Sequence, residues 1–264
     1  VPLPPLLAET GSVVESLAGG EFSLVFQPIV QLPGARVVGA EALLRWTHPI
    51  HGQVSPADFI PEAERTGAVE SIGQWVLEHA IGIASRWVRE PGSPQPYLTV
   101  NVSGVELTRP GYAESVFAVC ARLAFPVDAL RLELIESFLD LADAVVVANL
   151  VVLRSHGVAL LVDDFGTGFS DRERLAATGA TAIKIDRTLV ASSLESDDAA
   201  LHLARILHCA LEEGIEVIAE GVETLAEAEW LAGHGCRLAQ GFLFSPGLDA
   251  AALDSLIPSV EAAS

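Results

Sequence analysis

An α/β fold is what this sequence predicts: a (β/α)8 barrel with one antiparallel strand near its start. Three observations carry that expectation. Eight short apolar runs of β type fall between residues 22 and 244. From about residue 95 they alternate with helical segments, without a linker or a shift in composition, the pattern of a parallel sheet covered by helices. The first two runs are joined only by Leu32-Pro33-Gly34-Ala35-Arg36, a hairpin-length turn, and such a turn joins antiparallel strands. Eight strands in about 225 residues suit a closed barrel better than an open sheet.

The elements follow in order. Residues 1–20 read as a lead-in: Pro2, Pro4 and Pro5 are linker-like, and Leu7 to Leu17 has a helical pattern ended by Gly19-Gly20. Strands are expected at Phe22–Val30 and Val37–Trp46, then a helix at Val69–Val88, where Ile72, Trp75, Val76, His79, Ile83 and Trp87 recur at three and four. Strand and helix then alternate: Tyr97–Val102, Ala113–Leu123, Leu130–Ile135, Ala142–His156, Val158–Asp163, Ala182–Ile185, Ala199–Leu211, Val217–Ala219, Leu225–Leu231, Leu238–Phe244 and Ala250–Leu256. The barrel is expected to occupy residues 21–258, with 259–264 a tail.

Composition narrows the function. The 264 residues carry 15 basic and 35 acidic side chains, a formal charge of −20, with 50% hydrophobic and 19% charged residues. That is a folded chain with a large core, not a disordered acidic tail. The charge argues against a nucleic-acid polymer or an anionic membrane as partner. The longest apolar run, Ala144 to Leu153, is too short to span a bilayer, and no signal-peptide pattern opens the chain. Cys120, Cys209 and Cys236 form no C-x-x-C pair. Cys120 and Cys209 fall in apolar helical patterns and are expected to be buried free thiols, which suits a reducing, cytoplasmic setting. The chain starts at Val1 and has no Met, so it reads as part of something longer. Fourteen of the fifteen basic residues are Arg; the single Lys is Lys184.

The ionisable residues cluster at strand ends. Glu41, Asn101, Glu133, Asp163-Asp164 and Lys184 lie within or close their runs, Glu220 follows one, and Gln240 lies in the last. In a barrel the C-terminal strand ends converge on one mouth. Side-chain alternation turns Glu133 away from Leu132 and Leu134, and Lys184 away from Ile183 and Ile185, hence into the barrel. Asp163, Asp164 or Glu220 alone could be caps or loop residues. Four acidic groups converging around one lysine repel unless cations lie among them, and hard oxygen ligands of this kind suit Mg2+, Mn2+ or Ca2+. Zinc is disfavoured, because the seven His show no metal-binding spacing. Schiff-base chemistry at Lys184 is disfavoured too, since carboxylate neighbours keep the ammonium charged. The stretch DDFGTG at 163–168 lacks both nucleotide-loop patterns and reads as a loop over the site, hinged at Gly166 and Gly168.

These residues resemble the EAL domain, the bacterial cyclic-di-GMP phosphodiesterase. The motifs run in order: QPI at Gln27–Ile29, EALLRW at Glu41–Trp46, NVS at Asn101–Ser103, Glu133 with Glu136, DDFGTGFS at Asp163–Ser170, KID at Lys184–Asp186, EGVET at Glu220–Thr224 and QGFLFS at Gln240–Ser245. The resemblance implies a modified TIM barrel with an antiparallel second strand, and Mg2+- or Mn2+-dependent hydrolysis of cyclic-di-GMP to linear pGpG. It implies that Glu41, Asn101, Glu133 and Asp163 bind one metal, and Asp163 and Asp164 a second. It assigns Lys184 to the attacking water or a developing charge, and Glu220 to the metal-water shell or to base catalysis. Arg45 becomes a phosphate contact, Gln27, Glu223 and Gln240 ligand contacts, and Glu136 the anchor of the DDFGTG loop. A homodimer, and fusion to sensor or GGDEF domains, even in a membrane-anchored protein with this part in the cytoplasm, are further implications. Three departures stand out: Ile135 where the family usually has Thr, Phe169 in place of Tyr, and the charged run Asp171–Arg174 in a region the family often uses for dimerisation. Ile135 keeps a second reading open, a catalytically weak or inactive domain that binds cyclic-di-GMP as a receptor. A metal-dependent barrel enzyme for another phosphoester is the third.

Overall fold

A computed structural model describes residues 10–87, 95–135, 140–165, 175 and 177–257. Eight strands close into a ring: β1 (Phe22–Gln31), β2 (Arg36–His48), β4 (Tyr97–Val102), β5 (Leu130–Ile135), β6 (Ala159–Phe165), β7 (Ala182–Ile185), β8 (Glu216–Ala219) and β9 (Leu238–Ala239). A short strand β3 (Gly52–Val54) extends β2 as a hairpin outside the ring. From β2 through β4 to β9 every neighbouring pair is parallel. Strand β1 runs antiparallel to both its neighbours, β2 and β9. The odd strand is therefore the first, not the second as the resemblance implied. The tight turn reverses the chain between β1 and β2, and it is β2 whose direction the later crossovers continue.

Ten helices are described: α1 (Thr10–Ala18), α2 (Pro56–Thr66), α3 (Val69–Ala84), α4 (Gly104–Leu107), α5 (Tyr112–Arg122), α6 (Ala144–Ser155), α7 (Arg187–Ser192), α8 (Asp197–Glu213), α9 (Leu225–Gly233) and α10 (Ala250–Asp254). Helix α2 has no counterpart among the helices expected from sequence, and it contains Pro56 and Pro61, residues that ordinarily break a helix. Pro56 instead occupies the first turn behind a Ser55 N-cap, where a missing N–H costs nothing. The last strand stops at Ala239 rather than Phe244. At Gly241 (φ +157°) the backbone passes so close to Val222 that a Cβ would lie 2.1 Å from its carbonyl oxygen. Only glycine lets the chain turn there.

The strands bury two faces. Outward, Leu130, Leu132 and Leu134 pack in one core with Val116, Cys120, Val146, Leu150 and Leu153 from α5 and α6. Ile183 and Ile185 pack with Leu203 and Leu207 of α8. Inward, Ile29, Tyr97, Leu161, Ala182, Ile218 and Leu238 form one plug. The Arg131 guanidinium stacks 3.4 Å from the Tyr97 ring centre and pairs with Glu216. This plug closes one end of the barrel, so the polar layer lies at the other. Cys120 and Cys236 are buried, but Cys209 is exposed on the outer side of α8, against expectation. No helix among the described residues is long and apolar enough to cross a membrane.

Candidate active site

The polar layer forms as strand alternation dictates. Gln27 on β1 lies opposite Glu41 on β2, and Asn101 on β4 lies beside Glu133 on β5. Lys184 comes from the third position of β7 and Glu220 directly follows β8. Gln240 follows β9, its backbone held by bonds to Ala219 and Val222. Lys184 is 2% exposed, yet its side chain is not stranded. Its Nζ donates to Glu41 Oε2 at 3.0 Å and Glu133 Oε1 at 2.6 Å, pairs with Glu220, and lies 4.0 Å from Asp163. Asn101 Nδ2 donates to Glu41 Oε1 at 2.9 Å. Gln240 Nε2 bridges Glu41 Oε2 at 2.8 Å and Glu220 Oε1 at 2.9 Å.

One ammonium among four carboxylates sets the electrostatics. Burial alone would raise the Glu41 carboxyl, but Lys184 and the bonds from Gln240 and Asn101 outweigh it and hold it below the usual range. Glu133 is pushed well above that range by burial and the charge of Glu41, in spite of Lys184. Burial raises Glu220 to about 7 against the pull of Lys184. Burial would lower Lys184, but the surrounding carboxylates outweigh it and hold the ammonium charged, which disfavours Schiff-base chemistry.

The donor set fits a hard divalent cation. Glu41, Glu133 and Glu220 each offer an oxygen, all within 4.8 Å of one another. Glu133 Oε2 is buried without a hydrogen-bond partner, a cost that a cation or a proton removes. Among the described residues the ligand atoms that converge are carboxylate oxygens, which suits Mg2+ or Mn2+.

This layer floors a cleft of about 630 Å³, the size of small-molecule sites. Of the residues singled out from sequence, Gln27, Glu41, Arg45, Asn101 and Glu133 line it, as do Asp163, Lys184, Glu220, Glu223 and Gln240. Arg45 is half-buried and donates to the Leu44 carbonyl. Asp164 belongs to β6, but its side chain, that of Ile135, Glu136 and the loop 166–174 lie outside the described residues. The sequence reading missed an apolar wall, Ile60 and Pro61 of α2 with Val69, Ile72 and Val76 of α3. It also missed Glu64, Glu106, Arg187 and Phe242, which line the cleft too. One local signal did mark Glu106: Ser103-x-x-Glu106 is a capping box, with Glu106 Oε2 accepting from the Ser103 N–H at 3.0 Å. Burial raises this carboxyl to about 8.

A closed α/β barrel with a buried carboxylate–lysine–amide centre at the mouth of its strands carries its polar site where barrels of this class place theirs. The comparisons with known proteins name the family: the EAL domain model matches residues 11–247, and the chain belongs to that family. It is 35% identical over 246 residues to the oxygen sensor protein DosP of Escherichia coli, covering 93% of this chain and 31% of that protein. It is 36% identical over 250 residues to the bifunctional diguanylate cyclase/cyclic di-GMP phosphodiesterase MucR of Pseudomonas aeruginosa, covering 93% and 35%. The chain thus spans about a third of the length of these relatives. The solved structure of the PaMucR phosphodiesterase in complex with c-di-GMP superposes with a TM-score of 0.82 at 34% identity, covering 92% of this chain and 98% of that one.

Proposed function

We propose that this chain is a metal-dependent phosphodiesterase that opens cyclic-di-GMP to linear pGpG. The observation that carries the reading is the Lys184 centre, in which Glu41, Glu133 and Glu220 converge with Asn101 and Gln240 at the base of a nucleotide-sized cleft. Mg2+ or Mn2+ would be held by Glu41, Asn101, Glu133, Asp163 and Asp164, and would supply an acidified water and charge neutralisation at the phosphate. Lys184, kept charged by its carboxylates, would offer an N–H donor to an attacking water or to charge developing on the phosphate once a cation takes over the carboxylates that now accept from it. Glu220, paired with Lys184 and bonded by Gln240 at the edge of the layer, would order the metal-water shell or take a proton. Gln240 fixes the Glu220 and Glu41 carboxylates relative to each other. Gln27, Arg45 and Glu223 bind the ligand, Arg45 through its phosphate, and Glu136 anchors the loop that follows β6.

Residues 21–258 act as the catalytic unit, in the cytoplasm, with a homodimer and fused sensor or GGDEF domains as its expected context. The test is turnover of cyclic-di-GMP with Mg2+ or Mn2+, followed by separation of the product. Linear pGpG formed only with the ion supports the reading. Binding without turnover establishes the receptor reading that Ile135 raises, and turnover of other phosphoesters alone establishes the third.

A further inference from the structure

Among the described residues three cationic side chains line the cleft, against eight carboxylates. Lys184 is committed to the carboxylates of the catalytic layer. Arg45 stands near the end of β2 and Arg187 directly beyond Asp186 at the exit of β7. In the ring β1-β9-β8-β7-β6-β5-β4-β2, strands β2 and β7 are diametrically opposed. The two guanidiniums therefore rise from opposite rims of the mouth.

Arg187 has the marks of a side chain held for a ligand. It is exposed, and no ion pair or hydrogen bond of its guanidinium is found among the described residues. The carboxylate next to it in sequence does not neutralise it. Asp186 Oδ1 is turned to cap α7, accepting from the Thr188 N–H at 2.8 Å and from the Thr188 hydroxyl. The root of the side chain is fixed: a Cβ on Gly221 (φ +60°) would lie 2.3 Å from Arg187 Cβ, so the loop after β8 is packed onto it. An unpaired guanidinium with a fixed root, in a chain of charge −20, is suited to an anion.

We propose that Arg187 is a substrate-binding residue that holds the phosphodiester not undergoing cleavage. This rests on the cyclic-di-GMP reading above. A cyclic dinucleotide carries two phosphodiesters in one ring. When one lies over the carboxylate–lysine layer, the other faces a wall rich in carboxylates and needs a cation. Arg45 on one rim and Arg187 on the other match a ligand with two anionic groups.

Equilibrium binding of cyclic-di-GMP to the metal-free protein, across a series of NaCl concentrations, tests this with wild type, Arg187→Gln and Arg187→Lys. For Arg187→Gln a loss of about 10- to 50-fold in affinity is expected, the range of a charge-assisted contact, with unchanged melting temperature. The loss should narrow as NaCl rises, because salt screens an exposed charge contact, and Arg187→Lys should recover part of the affinity. Equal affinity in wild type and Arg187→Gln overturns the proposal alone. A loss that salt does not narrow and that Arg187→Lys does not recover also overturns it, pointing to a contact with the base. If wild type neither binds cyclic-di-GMP nor turns it over with Mg2+ or Mn2+, the functional reading falls and this proposal with it; if it turns the dinucleotide over but does not bind it metal-free, an unchanged KM in Arg187→Gln overturns the proposal alone.

Discussion

Glu106→Gln should make this protein more stable at alkaline pH while leaving it nearly unchanged at acid pH. Glu106 is 6% exposed, in the capping box of α4 beneath the cleft wall. Burial raises its carboxyl from 4.5 to about 8, with Glu70 and Glu64 adding to the rise and the Ser103 N–H and Arg109 opposing it. The folded state thus binds a proton that the unfolded chain has released. The stability this group lends is complete below about pH 4.5 and is lost as pH rises through about 8. At about 1.4 kcal/mol for each tenfold in proton affinity, that loss is about 5 kcal/mol across the range. Glutamine has the shape of the protonated acid and keeps the acceptor for the Ser103 N–H, so the variant escapes the loss. At about 2–4 °C per kcal/mol for a domain of this size, its melting temperature should exceed that of wild type by about 10–20 °C at pH 8.5. The gap should shrink to about 2–3 °C near pH 5. Thermal melts from pH 5 to 9 in chelator measure this directly. Parallel curves for the two proteins would refute the argument and place Glu106 as an ordinary ionised cap.

Three further outcomes are expected. Glu133→Gln removes the buried oxygen that lacks a partner, so the metal-free protein should melt no lower than wild type above pH 7, while most of the melting-temperature rise produced by Mn2+ disappears; calorimetric titration with Mn2+ checks the same loss. Lys184→Arg puts a planar fork into a niche 2% exposed that is shaped for a compact ammonium, and kcat for cyclic-di-GMP should fall at least about 100-fold; retained activity would make the single lysine a compositional accident. Gly241→Ala drives a Cβ to within 2.1 Å of the Val222 carbonyl, which should cost about 3 kcal/mol or more; denaturant melts should show it, with cyclic-di-GMP turnover falling as Gln240 shifts.

Strand alternation is a local property, so the sequence by itself placed Glu133 and Lys184 inside the barrel and Leu132, Ile183 and their neighbours outside. The same logic located Glu41, Asn101, Glu220 and Gln240 at one mouth, because every parallel strand delivers its end to the same face. The family motifs then supplied chemistry that alternation cannot. Helix α2 was not among the expected helices; Pro at a first helical turn and Pro as a breaker are the same letter, and with α2 went half of the apolar wall. Ring closure was decided only in three dimensions. Gln240 Nε2 reaches Glu41 across 199 residues, and Lys184 meets it across 143; no local pattern encodes which carboxylates share one proton donor. The direction of β1, the exposure of Cys209 and the opposition of Arg45 to Arg187 have the same origin. Each depends on which elements become neighbours when the sheet closes, and that is settled by packing over the whole chain rather than by the residues on either side.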